Sequence, residues 1–381
     1  MIETYEQAIK NVFTFEETRD YNLDRVEEAM VYLWNPLENI KVIHVAGTNG
    51  KWSTSRMVYS VLKHAWKKVW TYNQPHLTDI KERFLASDGM ITEDEFIKIL
   101  NKILDLPLKL SYFEKTTLIA FEFFKLRKVE YAIVEVWFGW LLDSTNVVKP
   151  EITCITSIGL DHTEILWDTI EEISFQKAGI IKEGIPVVVN HKNEVIESIA
   201  FIKNAQLIYT DKTFKTNLVW QHQERNAAIA YEICKYLWFS QSHIEAGFQK
   251  VEHPGRLQYL SDNLLIDGAH NEHALIELKK YIDSDEFQNK YDEVRYCFAL
   301  KHDKSSGLIT DVFWNDKKYI LVDSEHNMLE LVQNLSTQMK KNDISHEILT
   351  ANEILDKSNK EKTLLFVIFG SLYMIGDIYK Q

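Results

Sequence analysis

Glycine is in short supply in this sequence. A chain of 381 residues ordinarily carries roughly 27 glycines, yet there are 13, alongside 10 tryptophans. Cysteine is rare as well: Cys154, Cys234 and Cys297 lie far apart, without the spacing of a disulfide framework or a metal site. Cys154 and Cys297 fall in apolar, strand-like runs, where a buried, inert thiol is expected. No stretch approaches the roughly 18 to 20 apolar residues needed to span a bilayer. Met1-Ile2-Glu3-Thr4-Tyr5-Glu6 has neither a basic start nor an apolar run, which argues against a secretory signal. Basic excess is also missing. The formal net charge is −13, so the surface as a whole suits neither nucleic acid nor anionic membranes. Any anion held here must be met by a local pocket of cations or amides. Together these absences point to a reduced, cytoplasmic protein.

What remains is an ordinary globular composition, 45% hydrophobic and 26% charged. The length predicts two domains. Continuous apolar runs at Lys41 to Ala46, Val129 to Val136, Ile152 to Ile155 and Pro186 to Val189 read as parallel strands buried on both faces. Helix-like stretches such as Ser53 to Lys63 and Thr169 to Lys177 lie between them. This alternation predicts a doubly wound, mainly parallel α/β sheet. After His253-Pro254-Gly255-Arg256 a second α/β pattern begins. It has a strand at Leu264 to Ile266, a helix over Glu272 to Tyr281, and strands at Tyr296 to Leu300, Tyr319 to Val322 and Leu364 to Phe369. The boundary is placed there, giving domains 1–253 and 254–381 with a ligand cleft expected between them.

The strand Val42 to Ala46 runs into Gly47-Thr48-Asn49-Gly50-Lys51, then into a helix carrying Ser53 and Thr54. Glycines let backbone amides wrap phosphate oxygens, and a helix N-terminus adds positive potential. Lys51 can reach the outer phosphates, while a hydroxyl in the first turn can bind Mg²⁺. The loop departs from G-x-x-x-x-G-K-[ST], because Val45 holds the first glycine position and Trp52 follows the lysine. A plain glycine turn between strand and helix is the alternative.

With motifs elsewhere in the chain, this loop resembles that of the folylpolyglutamate synthase/dihydrofolate synthase family, within the Mur ligase superfamily. The matching segments run in order: His44 to Lys51; Pro75-His76-Leu77 with Glu82-Arg83; Ser111 to Thr116, reading S-Y-F-E-K-T; and Glu135. Leu142 to Asn146, Gly159 to Thr163, Lys177 to Ile180, His222-Gln223 with Asn226, Gly255-Arg256, Asp267 to Asn271 and Gly370 to Tyr373 follow. The resemblance implies a P-loop-containing Mur ligase central domain with a smaller Rossmann-like C-terminal domain. It implies ATP-driven addition of L-glutamate to a folate, or to dihydropteroate, through an acyl phosphate, in a monomeric enzyme. A Mur-type peptide ligase and an inactive ATP-binding scaffold are the other readings; S-Y-F-E-K-T and D-G-A-H-N favour folate.

The resemblance also implies roles. Gly47, Thr48, Asn49, Gly50, Lys51, Ser53, Asn226, Arg256 and Asp267 would bind ATP, with Arg256 offering a fixed fork to phosphate. Glu135 and His162 would hold Mg²⁺ with the loop around Gln74, although the family usually has serine there. A solvated strand-end carboxylate and a loop histidine are the alternatives for Glu135 and His162. Lys177 matches a lysine that the family carbamylates to help hold a second Mg²⁺, against the alternative of a surface lysine. His270 would support the acyl-phosphate step or make a structural hydrogen bond. Phe113 would stack on the folate or join the core, while Glu114 and Asp143 would pair with a pterin.

The tryptophans stand out against this pattern. Trp52 interrupts the ATP loop, and Trp137 and Trp140 stand where the resemblance expects glycine in E-V-G-x-G-G. Trp34, Trp66, Trp70, Trp167, Trp220 and Trp238 fall at expected turns or motif edges, and only Trp314 matches no motif. A UGA codon read as glycine in one code and as tryptophan in another would leave this pattern. A large ring beside the phosphates blocks close backbone approach. Protein made with tryptophan at position 52 is therefore expected to bind ATP weakly or fold badly. Calorimetric titration checks this, and a normal nucleotide affinity contradicts it.

Overall fold

The computed structural model describes residues 2–14, 22–137, 140–159, 169–218, 221–284, 290–302, 304–313, 317–324, 326 and 328–379. They form two compact units, each with its own sheet. The first comprises Met1–Gln74, Lys81–Asn217 and Gln221–Glu252. The second comprises Pro75–Ile80, Leu218–Trp220 and His253–Gln381.

The first sheet contains β1 (Lys41–Ala46), β2 (Val69–Tyr72), β3 (Phe84–Ala86), β4 (Gly89–Met90), β5 (Tyr131–Glu135), β6 (Ile152–Ile155), β7 (Val187–Val189) and β8 (Leu207–Tyr209). Their order is β4-β3-β2-β5-β1-β6-β7-β8. All pairings from β2 to β8 through β1 are parallel, while β2–β3 and β3–β4 are antiparallel. β1, β5, β6 and β7 are buried almost throughout, which is why their sequences are mostly apolar without alternation. Because β1 lies between β5 and β6, the loops leaving these three strands emerge side by side. The strand order reverses there, where an open α/β sheet receives its ligand.

The second sheet has the order β13-β12-β11-β14-β10-β9, from β9 (Gln258–Ser261), β10 (Leu264–Ile266), β11 (Glu293–Phe298), β12 (Lys318–Asp323), β13 (His346–Thr350) and β14 (Leu364–Phe369). It is parallel except for β9. Phe298, Phe313, Tyr319 and Phe369 anchor its core. The doubly wound and Rossmann-like patterns are thus both present.

The helix Lys51–His64 follows β1 directly, and every residue from Ser53 to Leu62 is buried. It packs between the sheet and the helices Gln221–Tyr236 and Gln241–Phe248. The crossing with the last of these is close enough that a Cβ at Gly247 would lie 2.5 Å from Val61 Cα. Ser60 Oγ donates to the carbonyl of Gly247 at 2.7 Å, so a hydrogen bond fixes the same crossing. Within the second unit, Pro75–Ile80 meets the last helix, Leu372–Tyr379, and a Cβ at Gly376 would overlap the carbonyl of Leu77.

Trp70 does not lie at a turn, as the glycine-like pattern suggested. It sits inside β2, fully buried, against Phe123 and Phe124. All three cysteines are buried, and burial pushes their thiols up, which keeps them protonated and inert.

The Gly247 crossing gives a direct prediction. Gly247→Ala forces backbone apart and lowers stability by about 1–3 kcal/mol, measured by chemical denaturation. An unchanged midpoint contradicts the assignment.

Candidate nucleotide-binding and ligase site

The loop after β1 is built around two positions that tolerate no side chain. Gly47 has φ 145° and Gly50 φ 87°, conformations that L-residues rarely adopt. Added Cβ atoms would lie 2.0 Å from Thr156 Oγ1 at Gly47, and 2.4 Å from Asn226 Oδ1 at Gly50. Hydrogen bonds then tie the loop to the chain leaving β6. Thr48 N donates to the carbonyl of Ser157 at 2.7 Å, and Asn49 N to Ser157 Oγ at 2.9 Å. Thr156 Oγ1 donates to the carbonyl of Asn49 at 2.7 Å, and Thr48 Oγ1 to that of Gly159 at 3.0 Å. Lys51 Nζ folds over the loop, donating to the carbonyls of Gly47 at 2.9 Å and Thr48 at 3.1 Å. Gly50 caps the helix that begins at Lys51. The result is a braced turn with a cation across it and a helix N-terminus behind it, which suits phosphate. Ser53 is buried in the first turn, and Trp52, half-buried, stands between it and Lys51.

Glu135, Lys177 and Asn226 lie close to this loop. Glu135 ends β5 in register with Val45 and is almost completely buried. Lys177 sits in the helix Ile170–Ala178 and is wholly buried, which removes the surface-lysine reading. A lysine so enclosed must have its charge compensated or lost. Its neighbour Ala178 packs in one apolar cluster with Val136 and Ala46, the residues beside Glu135 and Gly47. Gln74 is buried, and its Oε1 accepts from Arg83 Nη1 at 2.9 Å. Asn226, on the helix Gln221–Tyr236, donates to Gln223 Oε1 at 3.1 Å. His162 lies outside the described residues.

The S-Y-F-E segment opens the helix Tyr112–Arg127 as a capping box, Ser111 and Glu114 each accepting from the other's backbone N–H. Glu114 also pairs with Arg25 at 2.9 Å. Phe113 is half-buried, its ring 5.0 Å from Tyr112. Asp143 accepts from Thr145 N and Oγ1 and from Trp137 N, at 2.5 to 2.9 Å. Thr145 Oγ1 lies 3.1 Å from His44 Nε2, under the sheet. Both carboxylates therefore shape local backbone.

In the second unit, Asp267 accepts from the N–H groups of Leu257 and Ala269, each at 2.8 Å. Gly268 N donates to the carbonyl of Gly255, and a Cβ at Gly268 would come 3.0 Å from Arg256 Nη1. Asp267 thus holds the turn that carries Arg256. His270 Nδ1 lies 2.7 Å from the carbonyl of Gly268, the structural hydrogen bond weighed for it.

Thr156 and Ser157 escaped the motif reading, and His44 opened the matched loop segment without being given a role. Thr156 and Ser157 had a usable signal, since they are hydroxyls just past a buried parallel strand. Burial, with the nearby Lys182 charge adding to it, lowers the His44 pKa from 6.5 to about 3. The folded chain refuses a proton that the unfolded chain accepts, so stability is lost as pH falls from 6.5 towards 3. His44→Gln should flatten this dependence by up to one proton, measured as denaturation midpoints across that range. An equally steep variant contradicts it.

Comparisons with known proteins agree across the whole chain. The model for the Mur ligase middle domain matches residues 45–249, and that for the dihydrofolate synthetase C-terminal domain matches 249–381. The chain is 30% identical to the dihydrofolate synthase/folylpolyglutamate synthase of Bacillus subtilis, over 94% of each protein. The fold is that of the bifunctional folylpolyglutamate synthase/dihydrofolate synthase of Yersinia pestis, solved with AMPPNP and Mn (TM-score 0.88, 24% identity, 99% of this chain and 98% of that one). It is equally that of E. coli FolC solved with DHPP and ADP (TM-score 0.86, 24% identity, 99% and 97%). With a relative of this identity and coverage, and with both domain models matched, the chain belongs to the dihydrofolate synthase/folylpolyglutamate synthase family, built on a Mur ligase middle domain.

Proposed function

We propose that this chain is an ATP-dependent ligase that joins L-glutamate to the carboxylate of a folate, and to that of dihydropteroate. One observation carries the reading: the loop Gly47 to Lys51 has no room for side chains at its two glycines and a lysine folded across it. The names and bound nucleotides of the relatives support it. A carboxylate oxygen of the folate attacks the terminal phosphorus of ATP and ADP departs. The glutamate amine then attacks the acyl carbon, and inorganic phosphate leaves. The turn Gly47 to Gly50 receives the phosphates, its shape fixed by the Thr48 and Asn49 amides on Ser157, while Lys51 turns from its carbonyls to the transferring group. Asn226, Arg256 and Asp267 serve the nucleotide, with Asp267 fixing the turn that presents Arg256. His270 supports the transfer step.

Glu135 fits a hard divalent cation, being a buried carboxylate at the strand end beside the loop. With His162 and Gln74 it would hold Mg²⁺, which neutralises charge developing between the phosphates when bound. Carbamylation would turn the buried Lys177 into an anion suited to a second ion. Phe113 offers its ring to the folate, and Glu114 and Asp143 set the backbone around it. The enzyme acts as a cytoplasmic monomer on small molecules, with its domains divided near residue 253 apart from Pro75–Ile80 and Leu218–Trp220, which belong to the second unit. No helix among the described residues is long and apolar enough to cross a membrane.

Phosphate release should require ATP, a folate and glutamate together. The variant Trp52→Gly/Trp137→Gly/Trp140→Gly is assayed beside the chain as written. Adding Lys51→Ala to it should weaken nucleotide binding roughly 10- to 100-fold, the loss of a charge-assisted contact worth about 1.5–3 kcal/mol. Absence of folate-dependent release in the glycine variant overturns the reading.

A further inference from the structure

Three helices end in the same way, and each places a tryptophan where the backbone turns left-handed. After Asp24–Tyr32, Trp34 has φ 55°; Asn35 N donates to the carbonyl of Met30 at 2.9 Å and Trp34 N to that of Val31 at 3.1 Å. After Lys51–His64, Trp66 has φ 58°, with Lys67 N on Leu62 O and Trp66 N on Lys63 O, both at 3.0 Å. After Gln221–Tyr236, Trp238 has φ 68°, with Phe239 N on Cys234 O and Trp238 N on Lys235 O, again at 3.0 Å. These paired bonds define the Schellman end, whose left-handed residue is usually glycine. Asn and Asp tolerate that backbone through short polar side chains. An indole has no such compensation.

Burial does not offset the strain either, because the three side chains are 83, 94 and 95% exposed. The same ends elsewhere among the described residues hold Lys128, Asn204 and Asp343. Glycine therefore occupies none of them, in a chain already short of glycine. Tryptophans placed by chance would not fall on half of the positions sharing one rare backbone conformation. A docking role for exposed aromatic rings would explain the exposure but not the left-handed φ. Trp70 raises a separate, interior objection. Its ring centroid is 3.8 Å from that of Phe123 at a 56° tilt, closer than the roughly 4.5–7 Å at which aromatic pairs pack.

We infer that the native polypeptide carries glycine at positions 34, 66 and 238, through a codon read as glycine in its source and as tryptophan in this sequence. Wherever else the same codon stands among the tryptophan positions, it places glycine there too. If position 52 shares that codon, the indole after Lys51 disappears from the phosphate loop.

Peptide mass spectrometry of the protein isolated from the cells that encode it decides the matter. Glycine masses at 34, 66 and 238 are expected, and tryptophan at any of them overturns the inference. A physical readout stands beside it. Recombinant Trp34→Gly/Trp66→Gly/Trp238→Gly should show an unfolding constant at least about tenfold smaller than the chain as written, since relief of left-handed strain outweighs the added freedom of the unfolded chain. An equal or larger constant counts against the inference.

Discussion

The contact between the β1 loop and the chain leaving β6 is the constraint on which the candidate site depends. Gly47 and Gly50 approach Thr156 and Asn226 more closely than any side chain allows. That approach brings the amides of Thr48 and Asn49 onto Ser157, and it starts the helix that Lys51 opens. Register does the rest. Because β1 pairs with β5 on one side and β6 on the other, Glu135 and Thr156 flank one turn. Widening the loop by one methyl group would separate the lysine, the amides and the carboxylate together.

Around this point, polar groups are buried in service of backbone geometry. Asp143 holds Trp137 and Thr145, Asp267 holds Leu257 and Ala269, and Glu114 closes a capping box. Each carboxylate is satisfied by N–H donors, which is how buried charge is tolerated. The proposed chemistry exploits the fixed turns that result. Lys177 belongs to the same economy of buried charge, but its complete burial goes beyond what a helix end requires.

The central strands were legible because burial on both faces writes an uninterrupted apolar run, as in Lys41 to Ala46 and Ile152 to Ile155. The short strands β2, β3 and β4 were not, since two to four residues leave no period to read. Pro75–Ile80 follows Gln74 without a break yet packs with the second unit, a long-range choice that local pattern does not encode. The burial of Lys177 was equally hidden, because its neighbours give no apolar stripe. Trp34, Trp66 and Trp238 were legible for an unusual reason: the turn was visible through the wrong residue. Trp70 lies in a strand, where the absence of a turn gave no such cue.

Ligation through a phosphorylated carboxylate is the central claim, and oxygen tracing tests it most directly. A folate substrate carrying heavy oxygen in its reacting carboxylate is turned over by the glycine-bearing protein with ATP and glutamate. Inorganic phosphate is then analysed by mass spectrometry. One heavy oxygen is expected in phosphate for each amide formed. Amide formation that leaves the phosphate unlabelled contradicts it.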